Sequence, residues 1–169
     1  LYWKRQTGSF VFYSYTNPNE GLDLLSPHVG NFLLSFRKGW LIYTPLAFFY
    51  IIGLIPLYKY QKNVFYAVTA FFVLSLYLIS SWSCWWYAGG CYSQRAMTTS
   101  YVLLALPLGY FIKWAGKKLY LLVPLLLVFV FLIMLNLLQW WQFYNGILKG
   151  YTMTKKYYCA IFGKTSIPE

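Results

Sequence analysis

Residues 119–138 read LYLLVPLLLVFVFLIMLNLL, twenty positions without a charge, interrupted only by Pro124 and Asn136. Twenty helical residues cover about 30 Å, the thickness of a bilayer's hydrocarbon core. A run of this composition offers water nothing on any face, so lipid is its natural solvent. Lys117 and Lys118 precede it and Trp140-Trp141 follow it. Cations and paired aromatics in those places anchor a spanning helix at the two headgroup levels.

Three further runs flank it upstream. Residues 40–58 are uncharged between Arg37-Lys38 and Lys59, and residues 64–82 follow Lys62 and end in a Trp cluster. Residues 96–112 are shorter and begin with Thr98, Thr99 and Ser100. Pro45, Pro56, Pro107 and Pro124 fall inside these runs, where membrane helices accept them as kinks. Asn136, polar at membrane depth, reads first as an interhelical hydrogen bond. Composition agrees with lipid as solvent. Of 169 residues, 60% are apolar or aromatic and 10% are charged, against about 25% charged in soluble domains. Tyr, Phe and Trp together make up 24%. The expected fold class is an all-α integral membrane protein. It has about four transmembrane helices, interfacial amphipathic helices and a short strand-like segment near the N-terminus.

That strand-like segment is 9–15, where aromatic and small residues alternate before a turn at Asn17-Pro18-Asn19. Ser26-Pro27 is a helix-start signal, and Val29, Phe32, Leu33 and Phe36 share one face, which predicts an interfacial helix over 27–38. A second is predicted over 154–162. Residues 1–39 thus form an outer loop with its interfacial helix, 40–138 the membrane region, and 139–169 an interfacial tail. The chain starts at Leu1 and stops at Glu169 without a signal pattern, and is expected to be a fragment of a longer protein.

Net charge is +11, with Glu20, Asp23 and Glu169 the only acids. The cations sit between apolar blocks instead of in a dense run, which fits anionic lipid headgroups or a lipid-linked phosphate and excludes nucleic acid as the expected partner. Four spans put loops 59–63 and 113–118 on one side, with Lys59, Lys62, Lys113, Lys117 and Lys118. The loop 83–95 on the other side carries only Arg95, which leans the short loops toward the cytoplasm. Counting Arg37, Lys38, Lys149, Lys155 and Lys156 with Arg95 reverses the balance to six against five.

Chemistry concentrates in Trp82-Ser83-Cys84-Trp85-Trp86-Tyr87-Ala88-Gly89-Gly90-Cys91-Tyr92-Ser93-Gln94-Arg95. Glycine lets backbone approach a ligand, flat aromatics stack on sugars or cover a prenyl chain, and Arg95 offers a planar fork for phosphate. The plainer account is an aromatic belt, a tight turn and a snorkelling arginine. Arg37-Lys38 form a second cationic spot on the same predicted side. His28, Glu20 and Asp23 read as surface groups. Cys84, Cys91 and Cys159 lack zinc spacing, and whether Cys84 pairs with Cys91 stays open. No cofactor motif or nucleotide fingerprint is present, and the need for a divalent metal is open.

Two strings carry a resemblance. Tyr13-Ser14-Tyr15, Glu20-Gly21, Pro27 and Ser35-Phe36-Arg37-Lys38-Gly39-Trp40-Leu41 with Tyr43-Thr44-Pro45 form one; Trp82-Ser83-Cys84-Trp85-Trp86-Tyr87-Ala88-Gly89-Gly90 with Gln94-Arg95 form the other. Together they resemble the late membrane half of bacterial polytopic glycosyltransferases of the glycosyltransferase-C superfamily, in its dolichyl-phosphate-mannose–protein mannosyltransferase-like branch. The resemblance implies a multi-pass inner-membrane enzyme that takes a sugar from a polyprenyl-phosphate donor at the periplasmic face and passes it to an unknown acceptor. The catalytic acid of such enzymes lies in an early outer loop that nothing here matches, so no catalytic residue is assigned. Arg95, Gln94, Trp85, Trp86, Tyr87, Arg37 and Lys38 are the expected substrate-binding residues. The competing expectations are a non-catalytic or structural membrane subunit and a polymerase or ligase of lipid-linked oligosaccharides.

Overall fold

The computed structural model describes residues 2–10, 20–86 and 90–167. The protein is mostly helical, and no strand forms among the described residues. In chain order the helices are α1 (Tyr2–Thr7), α2 (Val29–Leu34), α3 (Trp40–Tyr43), α4 (Ala47–Tyr60) and α5 (Lys62–Ser80), then a 3-10 helix (Arg95–Ser100), α6 (Tyr101–Ala115), α7 (Leu119–Tyr144) and α8 (Lys155–Ile161). Of the strand expected over 9–15, Ser9 and Phe10 lie outside any helix or strand. The rest, with the turn at 17–19, lies outside the described residues.

Two helices are long and apolar enough to cross a membrane, α5 with 19 residues and α7 with 26. Both keep most of their apolar side chains on the outside, as Leu74, Leu78, Leu127 and Phe131 illustrate. α7 starts at Leu119, as expected, but continues past 138 to Tyr144. The run 40–58 is not one helix. Pro45 disfavours helical backbone at the residue before it, and Thr44 sits at φ −137°, ψ 66°. A single turn, α3, therefore precedes the 14-residue α4. The run 96–112 likewise divides into the 3-10 helix and the 15-residue α6.

α4 and α6 pack against each other most closely. Gly53 of α4 touches the backbone of α6: a Cβ built there would lie 2.2 Å from the Pro107 carbonyl oxygen. Small residues let membrane helices approach in this way. Phe49 is wedged against Phe111 and Phe129, with ring centroids 5.5 and 4.8 Å away. At the far end, Lys117 reaches Tyr60 and Tyr60 stacks on Tyr110, so the two short lysine-bearing loops share one end of the bundle.

Residues 20–28 are laced to the C-terminal end of α5. The exposed carbonyls that a helix end leaves behind find donors there: Asp23 N–H gives to Ser81 O at 2.7 Å and His28 N–H to Ser80 O at 2.8 Å. Because His28 is held by that bond, α2 begins at Val29, two residues later than Ser26-Pro27 predicts. It ends at Leu34, so the helix expected over 27–38 is one short helix followed by a turn. The helix expected over 154–162 is α8, with the Thr154 side chain accepting from Tyr157 N–H.

Candidate functional site

After α2 the chain turns sharply through Ser35–Gly39. Ser35 Oγ accepts from Arg37 N–H at 3.1 Å, and Gly39 N–H gives to Ser35 O at 2.6 Å. A Cβ at Gly39 would stand 2.6 Å from Ser35 backbone atoms, so only glycine closes this turn. Arg37 and Lys38 occupy its tip.

The turn meets the loop before the 3-10 helix. The Arg37 guanidinium lies over the Trp86 ring, 4.1 Å from its centroid, and its Nε gives a 2.7 Å hydrogen bond to Tyr151 O. Stacking on indole attracts the cation to the negative face of the ring while leaving the guanidinium edge available. Trp85, buried, meets Trp86 edge-to-face. Lys38 is 2% exposed and its ammonium donates to Cys91 O. Gln94 ties both segments together: its Nε2 donates to Lys38 O at 2.8 Å and to Trp85 O at 3.3 Å, and its Oε1 is buried with no partner among the described residues.

Neither Arg37 nor Lys38 has a carboxylate partner among the described residues. Burial pushes the Lys38 ammonium below its ordinary pKa, while the nearby Cys91 thiol acts in the opposite direction. The result is a knot of positive charge, aromatic faces and uncommitted donors at one end of an apolar bundle. Such a knot suits a phosphate or another anion that arrives with apolar or sugar surface attached.

Of the expected substrate-binding residues, the structure thus brings together Arg37, Lys38, Trp85, Trp86 and Gln94. Tyr87 lies outside the described residues. Arg95, next to Gln94 but exposed, opens the 3-10 helix, and its side chain makes no hydrogen bond to a described residue. The guanidinium that lies over a tryptophan of this loop is that of Arg37. Tyr151 was missed. It joins through its backbone carbonyl and through its ring, 5.6 Å from the Lys38 ammonium, and a carbonyl leaves no trace in a sequence.

Beneath the cluster lies a polar network on α7. Pro45 breaks the helix so that Ala47 N–H gives to Thr44 O, leaving the Tyr43 carbonyl without its helical donor. Asn136 Nδ2 gives it a 2.7 Å bond, the interhelical role expected of this residue, and the Tyr92 hydroxyl approaches it to 2.7 Å. Tyr92 also lies 2.9 Å from Gln139 Oε1, and Gln139 Nε2 donates to the Tyr158 hydroxyl at 2.7 Å. Burial holds the Tyr92 phenol well above its ordinary pKa. A cleft of about 120 Å³, lined by Pro45, Leu46, Leu132, Ile133 and Asn136 among others, opens beside this network.

No disulfide joins Cys84, Cys91 or Cys159. Asp23 is exposed and its carboxylate accepts from Ser26 N–H. Among the described residues, no three His, Cys, Asp or Glu side chains gather as a metal site would require. No family model, no curated protein and no solved structure matches the chain.

Proposed function

We propose that the chain is the membrane-embedded, donor-binding part of a glycosyltransferase that takes a sugar from a polyprenyl-phosphate carrier at the periplasmic face of the inner membrane. The observation that carries this is the Arg37 guanidinium stacked on Trp86, with no acid paired to it among the described residues, at the end of an apolar bundle. In the proposal Arg37, with Arg95, holds the carrier phosphate. Its charge grows as the sugar leaves, and a fixed cation stabilises that charge. Lys38 and Gln94 hold the turn and the loop in register. Trp86 faces the sugar or the first prenyl units with Trp85 buried against it, and the cleft beside Pro45 receives prenyl chain.

The proposal takes four helical passes. α5 and α7 suffice alone. α4 and α6 cover only about 21 and 22 Å by themselves, but α3 prolongs one and the 3-10 helix the other toward the required 30 Å or so. Counted over the connecting loops alone, five lysines against Arg95 favour a cytoplasmic assignment for the opposite end; the flanking cations bring the site's side to six, so the periplasmic placement of the site follows from the proposed reaction and not from charge.

The test is binding of a radiolabelled undecaprenyl-phosphate sugar to the protein in detergent micelles. Arg37→Ala is expected to weaken binding about tenfold or more, the scale of one lost charge-assisted contact. Arg37→Lys, which keeps the charge but loses the fork and the stack, is expected to recover only part of it. Equal binding by wild type and by the Arg37→Ala, Arg95→Ala double variant, with both folded, refutes the proposal.

A further inference from the structure

The opposite end of the bundle holds a second cationic cluster, independent of the first. Lys113 and Lys117 both converge on the ring of Tyr60, their ammonium groups 6.0 and 5.0 Å from its centroid, and Lys117 also donates to the Tyr60 hydroxyl. Tyr110 stacks on Tyr60 at 6.0 Å and lies 6.0 Å from Lys113. Lys59 adjoins Tyr60 in sequence, and all three lysines are exposed. Neither Lys113 nor Lys117 has a carboxylate partner among the described residues.

Directly on the membrane side of Lys113 runs a groove of about 190 Å³ lined by Ala105, Leu106, Gly109 and Tyr110. Gly109 keeps it open: a Cβ built there meets nothing within 4 Å. Charge at the mouth and an apolar trough below it match the two ends of one molecule. Like charges gathered on one ring repel each other, and an anion between them offsets that repulsion.

We infer that this end binds one anionic phospholipid. Its phosphodiester sits between Lys113, Lys117 and the Tyr60 hydroxyl, and one acyl chain lies in the groove over Gly109. A free anion uses the lysines but not the groove, and unlocalised surface charge needs no particular residue, so two kinds of substitution separate the three.

The experiment measures phosphatidylglycerol retained on the protein by native mass spectrometry from mixed micelles, with phosphatidylcholine and inorganic phosphate as the other arms. Replacing a lysine at the headgroup level is expected to weaken retention roughly fivefold, so Lys113→Gln with Lys117→Gln should lose on the order of 25-fold. Gly109→Leu fills the groove without changing charge and should lose on the order of tenfold, the worth of about two excluded methylenes. Phosphatidylcholine should be retained far less, and millimolar inorganic phosphate should not displace phosphatidylglycerol. The inference is overturned if Gly109→Leu, folded, retains the lipid as wild type does, if phosphate displaces it, or if Lys155→Gln with Lys156→Gln at the other end loses as much as the Lys113, Lys117 pair.

Discussion

Replacing Gly53 by Ala sets two physical effects against each other with opposite sign. Helix propensity alone favours Ala over Gly in the interior of α4 by about 1 kcal/mol. Packing opposes it. The new methyl would stand 2.2 Å from the Pro107 oxygen, 2.5 Å from its carbonyl carbon and 3.2 Å from Leu108 N. These are backbone atoms, so no side-chain rotation relieves the clash. Reaching an ordinary contact of about 3.4 Å requires α4 and α6 to separate locally by roughly 1.2 Å, which forfeits a quarter to a half of the dispersion energy of the contacts opened. Overpacking of this kind costs about 1–3 kcal/mol, and a backbone-on-backbone clash belongs at the upper end. The net expectation is a loss of about 2 kcal/mol, or roughly 4–8 °C in Tm for a chain of this length. The assay is thermal unfolding in detergent followed by tryptophan fluorescence. Gly109→Ala in α6 is the control. With nothing near its added methyl, it shows propensity alone and should be neutral or stabilising. A Gly53→Ala protein as stable as the Gly109→Ala protein would refute the close approach of α4 and α6.

Two other predictions concern the site end. Lys38 has a folded-state pKa below the 10.5 of an unfolded lysine, so between those values the unfolded chain binds more protons and stability rises with pH. Tm is therefore expected to climb as pH approaches 10 from below, and Lys38→Met should flatten that climb; an unchanged slope in the variant would show that Lys38 is not the group responsible. Tyr92→Phe removes the one hydroxyl proton that Gln139 Oε1 at 2.9 Å and Tyr43 O at 2.7 Å share, and leaves Tyr43 O with Asn136 alone. It should cost about 1–2 kcal/mol in urea unfolding, and a cost below about 0.3 kcal/mol would mean the network is not closed in solution.

Sequence alone was enough for the features that depend on local composition. The absence of charge over 119–138 required a long apolar helix, and α7 begins at Leu119 after its lysines. The Trp85-Trp86 pair and the Arg37-Lys38 pair were legible as candidates because aromatic and cationic side chains carry their chemistry wherever they lie. Tertiary structure decided everything that depends on partners distant in the chain. Gln139 and Gln142 look like the end of a span, but their amides are satisfied by Tyr158 and by the carbonyls of Ile161 and Lys164, and so α7 runs on to Tyr144. Pro45 looked like a tolerated kink, yet the chain breaks there because Asn136 and Tyr92 supply the donors that the Tyr43 carbonyl loses. Which arginine stacks on the indole was also settled by folding: the Ser35–Gly39 turn delivers Arg37 to Trp86, while Arg95, inside the more conspicuous motif, faces outward. Hydrogen bonds to backbone carbonyls carry no side-chain signature, and that is why residues such as Tyr151 emerge only once the chain has folded.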